Sequence, residues 1–503
     1  MRSNSYWIDS APIKSFPPLR ADLRVDALIV GGGVTGISAA YLLKKAGVAV
    51  ALIERERVAS IDTGHTTAHL TYVTDTALGT LVKGFGRDHA EAVWDAGGAA
   101  IGEIEHIVNQ EQIACDFTRV PGFLHAPVFG EREDLDQGEL KREAELAKDL
   151  GFDADFVETI PLFGVTGVRF PNQAEFHPLK YLSPLVESIP GDGSMVFEQS
   201  GVEEFDSQKR RAKANGHWIS FDRLILATNN PLVGLASMGS ATVFQTKLSL
   251  YTSYALSARI PRNSLPIALF WDTADPYDYL RVSQSEDFDY LVFGGEDHKT
   301  GQVTDTKKCY AHLVAKLKKF APDAQVDHGW SGQIIETSDG LPYIGQNAEN
   351  QFIATGFCGN GITFGTMAAM MARDWVTGRK NPWSELFDVA RKPITLGAWD
   401  YLRENADYPY YMIKDRLRRS EADSVRDLKP GQGMIIKSRN GKVAASRDPK
   451  GDVHKVSAIC THMGCIVRWN STEQSWECPC HGSRFQPTGE VIAGPAEEPL
   501  ART

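Results

Sequence analysis

The sequence predicts a large α/β domain followed by a small all-β domain. Three observations carry this reading. An apolar strand, a glycine turn, a helix and a second strand follow one another across residues 26–56. Two later segments, 223–230 and 351–376, repeat the order of apolar strand then turn, and the second runs on into a helix. From residue 423 onward, short strand-like runs alternate with turn sequences such as "RNG", "DPKGD" and "PTGE", the pattern of an all-β module.

The chain has 503 residues and 42% hydrophobic content, room for two or three domains. A net charge of -11 argues against a basic nucleic-acid surface. The first 26 residues show no continuous apolar core of a secretory signal, and no run of eighteen apolar residues occurs, so neither export nor a transmembrane segment is expected. A cytoplasmic setting follows, in which clustered cysteines are more often metal ligands than disulfides. Four of the seven cysteines fall in two compact clusters, while Cys115, Cys309 and Cys358 are scattered and read as single small buried residues. The chain divides into an oxidoreductase-like stretch 1–395, a charged connector 396–422 expected to be partly helical, and a tail 423–503.

In the first unit, Ala27 to Val30 read as a strand buried on both faces. Gly31 permits a tight turn, Gly33 lets the backbone approach a pyrophosphate, and Gly36 allows helix and strand to pack closely. The helix carries Ile37, Ala40 and Leu43 near one stripe, and its N-terminus offers free N–H groups to phosphates. Val48 to Ile53 form the second strand, and Glu54 follows it, placed to accept from a ribose hydroxyl. Only one such fingerprint exists; "AGGAAIG" at 96–102 lies inside a helical pattern with no strand before it. A single copy favours FAD as the resident cofactor. The turn at 356–361, leading into a helix that starts near Thr363, aims a second helix N-terminus at an anionic group. The pyrimidine end of a reduced flavin is such a group, which makes Gly361, Ile362 and Thr363 candidates for contact with it.

The fingerprint, "WSGQIIETSDGLPYIG" at 330–345 and "TGFCGNGITFG" at 355–365 resemble the D-amino-acid oxidase and sarcosine oxidase family of flavoproteins over roughly residues 20–390. The resemblance implies FAD, an α/β FAD-binding domain of Rossmann type with an interleaved antiparallel-sheet substrate domain, and oxidation of a C–N or C–O bond. It also implies that "SGVEEF" (200–205) places the backbone of Val202 against the adenine, and that Thr66 and Thr67 of "DTGHTTAHLTY" (62–72) lie near the flavin's phosphates and ring. Some relatives attach flavin through a cysteine where this chain has Gly332, so FAD is expected to be non-covalent. Amino-acid-oxidising relatives often carry an arginine where Ile334 stands, which counts against an amino-acid substrate.

His65 and His69 have the i, i+4 spacing of a metal pair but lack the glutamate and third ligand of a zinc site. "DPYDYLR" (275–281) alternates like a half-buried strand, which resemblance places over the flavin. Tyr277, Tyr279 and Arg281 are then weak candidates for substrate contact, Arg281 through a carboxylate. An equally good reading makes them structural. "GGEDHKTG" (294–301) reads as a turn with His298 at the surface.

The tail holds Cys460-x-His462 and, after fifteen intervening residues, Cys478-x-x-His481. A zinc site usually segregates its Cys and His pairs. Here each loop supplies one of each, which suits a 2Fe-2S cluster with Cys460 and Cys478 on one iron and His462 and His481 on the other. Cys465 and Cys480 lie close to these ligands, one in each loop; a disulfide between them would clamp the loops, the alternative being two free thiols. "CTHMGC" and "CPCHGS" closely resemble the Rieske iron–sulfur domain in its disulfide-bearing form, and "GEVIAGPAEEPL" (489–500) resembles the proline loop over such clusters. That resemblance implies a hydrogen bond from Ser483 to a cluster sulfur; Phe485 stands where many relatives have a tyrosine donor.

The whole arrangement therefore resembles a flavin oxidoreductase with a C-terminal Rieske domain. The expected function is oxidation of a small amine or hydroxy acid, with electrons passed from FAD through the cluster to a redox protein or quinone. The alternative is an oxygen-using oxidase whose Rieske module is structural or redox-sensing.

Overall fold

The computed structural model describes every residue except 1, 3, 130–136, 231–246, 304, 392–410, 412–424 and 439–440. The connector expected at 396–422 lies outside the described residues apart from Tyr411, whose ring packs on the tail domain with the Arg468 guanidinium 4.9 Å from its centroid.

The strand Leu23–Val30 sits in an eight-stranded sheet, parallel to His217–Leu226 on one side and Val50–Ile53 on the other. Gln351–Thr355 and Met195–Phe197 extend the parallel set outward. The apolar run has its reason here. Ala27 and Ile29 join the core under the helices, while Leu28 joins a second core on the opposite face. The helix Val34–Lys45 follows the turn, and Gly361–Thr377 packs against it. A Cβ on Gly365 would stand 2.8 Å from Thr35 Oγ1, so this helix pair depends on glycine for its close approach. The later helix starts at Gly361, two residues before the expected Thr363. The strand expected at 223–230 begins at His217, because its polar-alternating first half pairs with the hairpin strand Arg211–Ala214.

A nine-stranded sheet forms the second layer, antiparallel except where Leu269–Asp272 runs parallel to Thr118–His125. Its strands Leu248–Ile260, Asp289–Lys299 and Tyr279–Ser283 are neighbours, with the helix Lys307–Phe320 packed against the first two. The turn expected at 294–301 is a correction: the strand continues to Lys299, kinked by a register shift opposite Thr252–Tyr254 with Gly295 and Glu296 at positive φ. His298 is not a surface residue; its ring stacks on Tyr254 at 5.6 Å.

The tail forms two small antiparallel sheets, Gly433–Ser438/Gly441–Arg447/Val453–Ser457 and Arg468–Asn470/Ser475–Glu477/Arg484–Phe485/Val491–Ala493. Trp476 and Phe485 are fully buried in its core. This domain docks on the nine-stranded layer: the Thr306 hydroxyl donates to Asn470 Oδ1 at 2.8 Å, and Gly301 lies directly against the backbone of Cys478 and Pro479. No described helix is long and apolar enough to cross a membrane.

Candidate functional site

A cavity of about 650 Å³ lies between the two large sheets. One end is built by the glycine turn. Gly31 sits at φ +106, where a Cβ would stand 2.5 Å from the Ala227 carbonyl oxygen, and a Cβ on Gly36 would collide with the Gly31 carbonyl. Gly31 and Gly33 line the cavity; Gly36 lies behind them and brings the helix onto the turn. Glu54 closes this end. Its carboxylate accepts from the N–H groups of Gly32 at 2.7 Å and Glu56 at 2.8 Å, while burial pushes the carboxyl above its ordinary range. The rim contains Val202, and Thr66 and Thr67 line the middle. Gly361 and Ile362 face the cavity from the helix N-terminus; Thr363 is one step behind, donating to the Thr71 carbonyl at 3.1 Å. These residues fit a dinucleotide: a cradle that admits no side chains, a helix N-terminus and an acidic acceptor for a sugar hydroxyl.

The other end is walled by the antiparallel sheet. Tyr279 lines it, its hydroxyl 2.7 Å from Ser253 Oγ. Tyr277 lines it too and donates to Asp75 Oδ2 at 3.1 Å. The Asp75 carboxylate is exposed to the cavity, and desolvation by the protein packed around that opening pushes it up to about 7. Arg281 does not reach this wall. Its guanidinium is buried against Glu175 at 3.2 Å and the Ala68 carbonyl at 2.9 Å, so the carboxylate it holds is the protein's own. His65 ends a short 3-10 turn and His69 lies on a strand, so the pair shares no helix. Burial beside Arg281 lowers the His69 imidazole to about 3, and it is neutral.

In the tail, Cys460 and Cys478 are buried free thiols that hydrogen-bond one another. The His462 and His481 rings lie 4.9 Å apart at 85°. Burial lowers both imidazoles to about 4, the neutral state a metal ligand requires. His462 Nδ1 is buried without a hydrogen-bond partner among the described residues. Cys465 and Cys480, the latter beside Cys478, are joined in a disulfide and offer no thiolate. The remaining donor set, two sulfurs and two imidazoles, fits the mixed ligation of a two-iron cluster. The buried Ser483 hydroxyl reaches the Cys460 thiol and accepts from the Ala496 N–H at 3.0 Å.

The two sites adjoin. Gln333 lines the cavity, and its side-chain amide donates to the Gly482 carbonyl of the second cluster loop at 2.9 Å. The tail segment 492–498 forms part of the cavity wall near Arg55, which donates to the Ile492 carbonyl at 2.7 Å.

Residues 26–375 match the family described as FAD dependent oxidoreductase. The chain belongs to that family. Residues 419–503 match the Rieske [2Fe-2S] domain. The oxidoreductase therefore pairs an FAD-binding domain with a Rieske domain that binds a 2Fe-2S cluster. A putative Rieske 2Fe-2S iron-sulfur protein, YhfW of Bacillus subtilis, is 32% identical over 503 residues, covering 99% of this chain and 96% of the relative. The cytochrome b6-f complex iron-sulfur subunit of Synechococcus elongatus is 48% identical over 59 residues, 12% of this chain and 32% of that protein. Glycine oxidase from Geobacillus kaustophilus has the same fold at TM-score 0.60 and 17% identity, covering 73% of this chain and 99% of its own. L-proline dehydrogenase from P. horikoshii follows at TM-score 0.59 and 17% identity, covering 74% and 98%.

Sequence reasoning missed Asp75, Trp271, Gln333 and Cys358, which all line the cavity; the last three come from elements distant in sequence from the fingerprint, and Asp75 lies just past the segment 62–72. Cys358 is buried as expected, and a cysteine inside a glycine-rich turn next to a predicted helix N-terminus was the available signal.

Proposed function

We propose that this oxidoreductase oxidises a small organic amine or hydroxy acid at FAD and passes the electrons through its 2Fe-2S cluster to an external acceptor, a redox protein or a quinone. The observation that carries this reading is the Gln333–Gly482 hydrogen bond, which ties the cavity wall to the peptide between His481 and Ser483. When bound, FAD supplies the ability to take an electron pair from a carbon and release the electrons singly.

The chain's own residues supply the rest. Gly31, Gly33 and Gly36 shape the pyrophosphate cradle, Glu54 accepts from the ribose, and Val202 borders the adenine. Thr66 and Thr67, with Gly361, Ile362 and Thr363 at the helix N-terminus, surround the ring system and stabilise negative charge at its pyrimidine end. FAD is held non-covalently: Gly332 offers no nucleophile, and burial raises the Cys358 thiol to about 12. Tyr279 borders the substrate, whereas Arg281 positions the wall through Glu175. Cys460, Cys478, His462 and His481 hold the cluster, Ser483 hydrogen-bonds it, and the disulfide Cys465–Cys480 clamps its loops. The domains divide at 1–395, 396–422 and 423–503, and the protein works in the cytoplasm.

The test is anaerobic reduction of the purified holoprotein with amines and 2-hydroxy acids, following flavin bleaching and the cluster's EPR signal together. Bleaching that populates the reduced cluster is expected. Bleaching with a permanently oxidised cluster, and peroxide formation in air that survives His481→Ala, would establish the oxidase alternative instead.

A further inference from the structure

The antiparallel-sheet end of the cavity bears on the choice between amine and hydroxy acid. Its surface is aromatic, from Trp271, Tyr277, Tyr279 and Phe357. Asp75 is the carboxylate in that wall. The Tyr277 hydroxyl donates to its Oδ2, and among the described residues no Lys or Arg forms an ion pair with it. The carboxylate lies against Gly359, which sits at φ +78 and has no room for a side chain. The N-terminus of the helix Gly361–Thr377 is next to it, and its partial positive charge favours the ionised carboxyl.

The cations of the neighbourhood are elsewhere. Arg55 and Arg57 line the dinucleotide end. Arg281 is paired with Glu175 behind the wall. Lys316 is held by Asp278 at 2.8 Å and Glu296 at 3.0 Å. His69, whose ring lies edge-on to Tyr279 at 5.9 Å, is neutral. A substrate carboxylate entering this end would meet a negative charge among aromatic rings and find no cationic partner. An ammonium would meet a carboxylate acceptor and the faces of electron-rich rings.

We propose that the cavity end formed by Asp75, Tyr277, Tyr279 and Trp271 is an ammonium-binding site, selecting an amine cation and disfavouring substrates that present a carboxylate. Asp75 is its anionic anchor, oriented by Tyr277, and the rings form its sides. This rests on the proposed function, which makes this cavity the place of oxidation.

The test uses the holoprotein with oxidised flavin. Propylamine and benzylamine are titrated against propionate and benzoate, molecules of matched size and opposite charge. Binding is read by calorimetry and by the shift of the flavin's visible absorption. The amines are expected to bind at least about tenfold more tightly than the acids, and Asp75→Asn to remove about tenfold of amine affinity with FAD content and cluster spectrum unchanged. Tyr277→Phe keeps the charge of Asp75 and should keep the preference for amines. Equal or tighter binding of the acids, no binding of the amines, or an amine affinity indifferent to Asp75→Asn overturns the proposal. The two readings fail separately. Flavin bleaching by 2-hydroxy acids but not by amines removes the ammonium site and leaves the oxidation; tight amine binding without bleaching by any substrate class removes the oxidation and leaves the site.

Discussion

The side-chain amide of Gln333 donates to the carbonyl of Gly482 at 2.9 Å while the same side chain lines the flavin cavity. One residue thus touches both redox compartments, and Gly482 is the peptide neighbour of His481. The loop carrying Cys478 and His481 faces the flavin domain, whereas Ile459 and Met463, flanking Cys460 and His462 in the other loop, are 50% and 41% exposed. One ligand loop is thus turned toward the flavin domain and the other carries exposed residues, the arrangement the proposed relay needs.

Gln333→Leu keeps the volume and removes the donor, leaving the Gly482 carbonyl buried without this partner, a cost of about 1–3 kcal/mol. Flavin reduction by substrate should be unchanged, and reduction of the cluster should slow several-fold. Stopped-flow spectroscopy at the flavin and cluster bands checks both at once; parallel slowing of the two would show that Gln333 acts on the flavin site alone.

Gly301 has φ +78, and a Cβ there would stand 2.9 Å from the Cys478 carbonyl carbon and the Pro479 nitrogen. Gly301→Ala should destabilise docking by about 1–3 kcal/mol and lower the melting temperature. Gly451→Ala is the control: φ is +101, and nothing lies within 4 Å of the added atom. The difference between the two isolates the interdomain collision from backbone strain.

The Cys465–Cys480 bridge closes a 15-residue separation, for which loop-closure entropy gives about 3 kcal/mol. The double replacement Cys465→Ser with Cys480→Ser should shorten the cluster's lifetime, read as faster loss of its visible and EPR signals on warming. FAD absorbance should persist longer than the cluster's.

Asp75 supplies a pH dependence. Its carboxyl is raised to about 7 by desolvation, and only the ionised form attracts an ammonium. Amine affinity should therefore be full above about 7 and fall as the pH drops through it. The other titratable groups around it are the Tyr277 and Tyr279 hydroxyls, raised by burial and neutral throughout, His69, lowered to about 3, and Asp297, also raised to about 7. Asp297→Asn should keep the limb, and Asp75→Asn should abolish it. The sign for folding is opposite: the proton-linked stability is present below the ordinary 3.8 and is lost as the pH rises through about 7.

How much of this was legible follows from locality. The cradle of Gly31, Gly33 and Gly36 depends on spacing within one strand–turn–helix unit, and the cluster ligands lie in two short loops, so both could be read from contiguous residues. Arg281 could not. Resemblance put its strand over the flavin and made it a candidate for a substrate carboxylate, but its partner Glu175 lies 106 positions away, and nothing near 281 announces it. Asp75 and Tyr277 are likewise brought together across 202 positions by the sheet arrangement. The turn expected at 294–301 failed for a related reason: two glycines and a positive φ at Glu296 kink a strand that stays paired with its neighbour on both sides of a register shift.

The strap at 492–498 serves two masters. Its Ala496 N–H anchors Ser483 beside the iron ligands, and its other side closes the flavin chamber. The tail is therefore part of the flavin chamber and not an appendage to it: a chain cut before residue 492 would keep its glycine cradle and lose one wall of the enclosure.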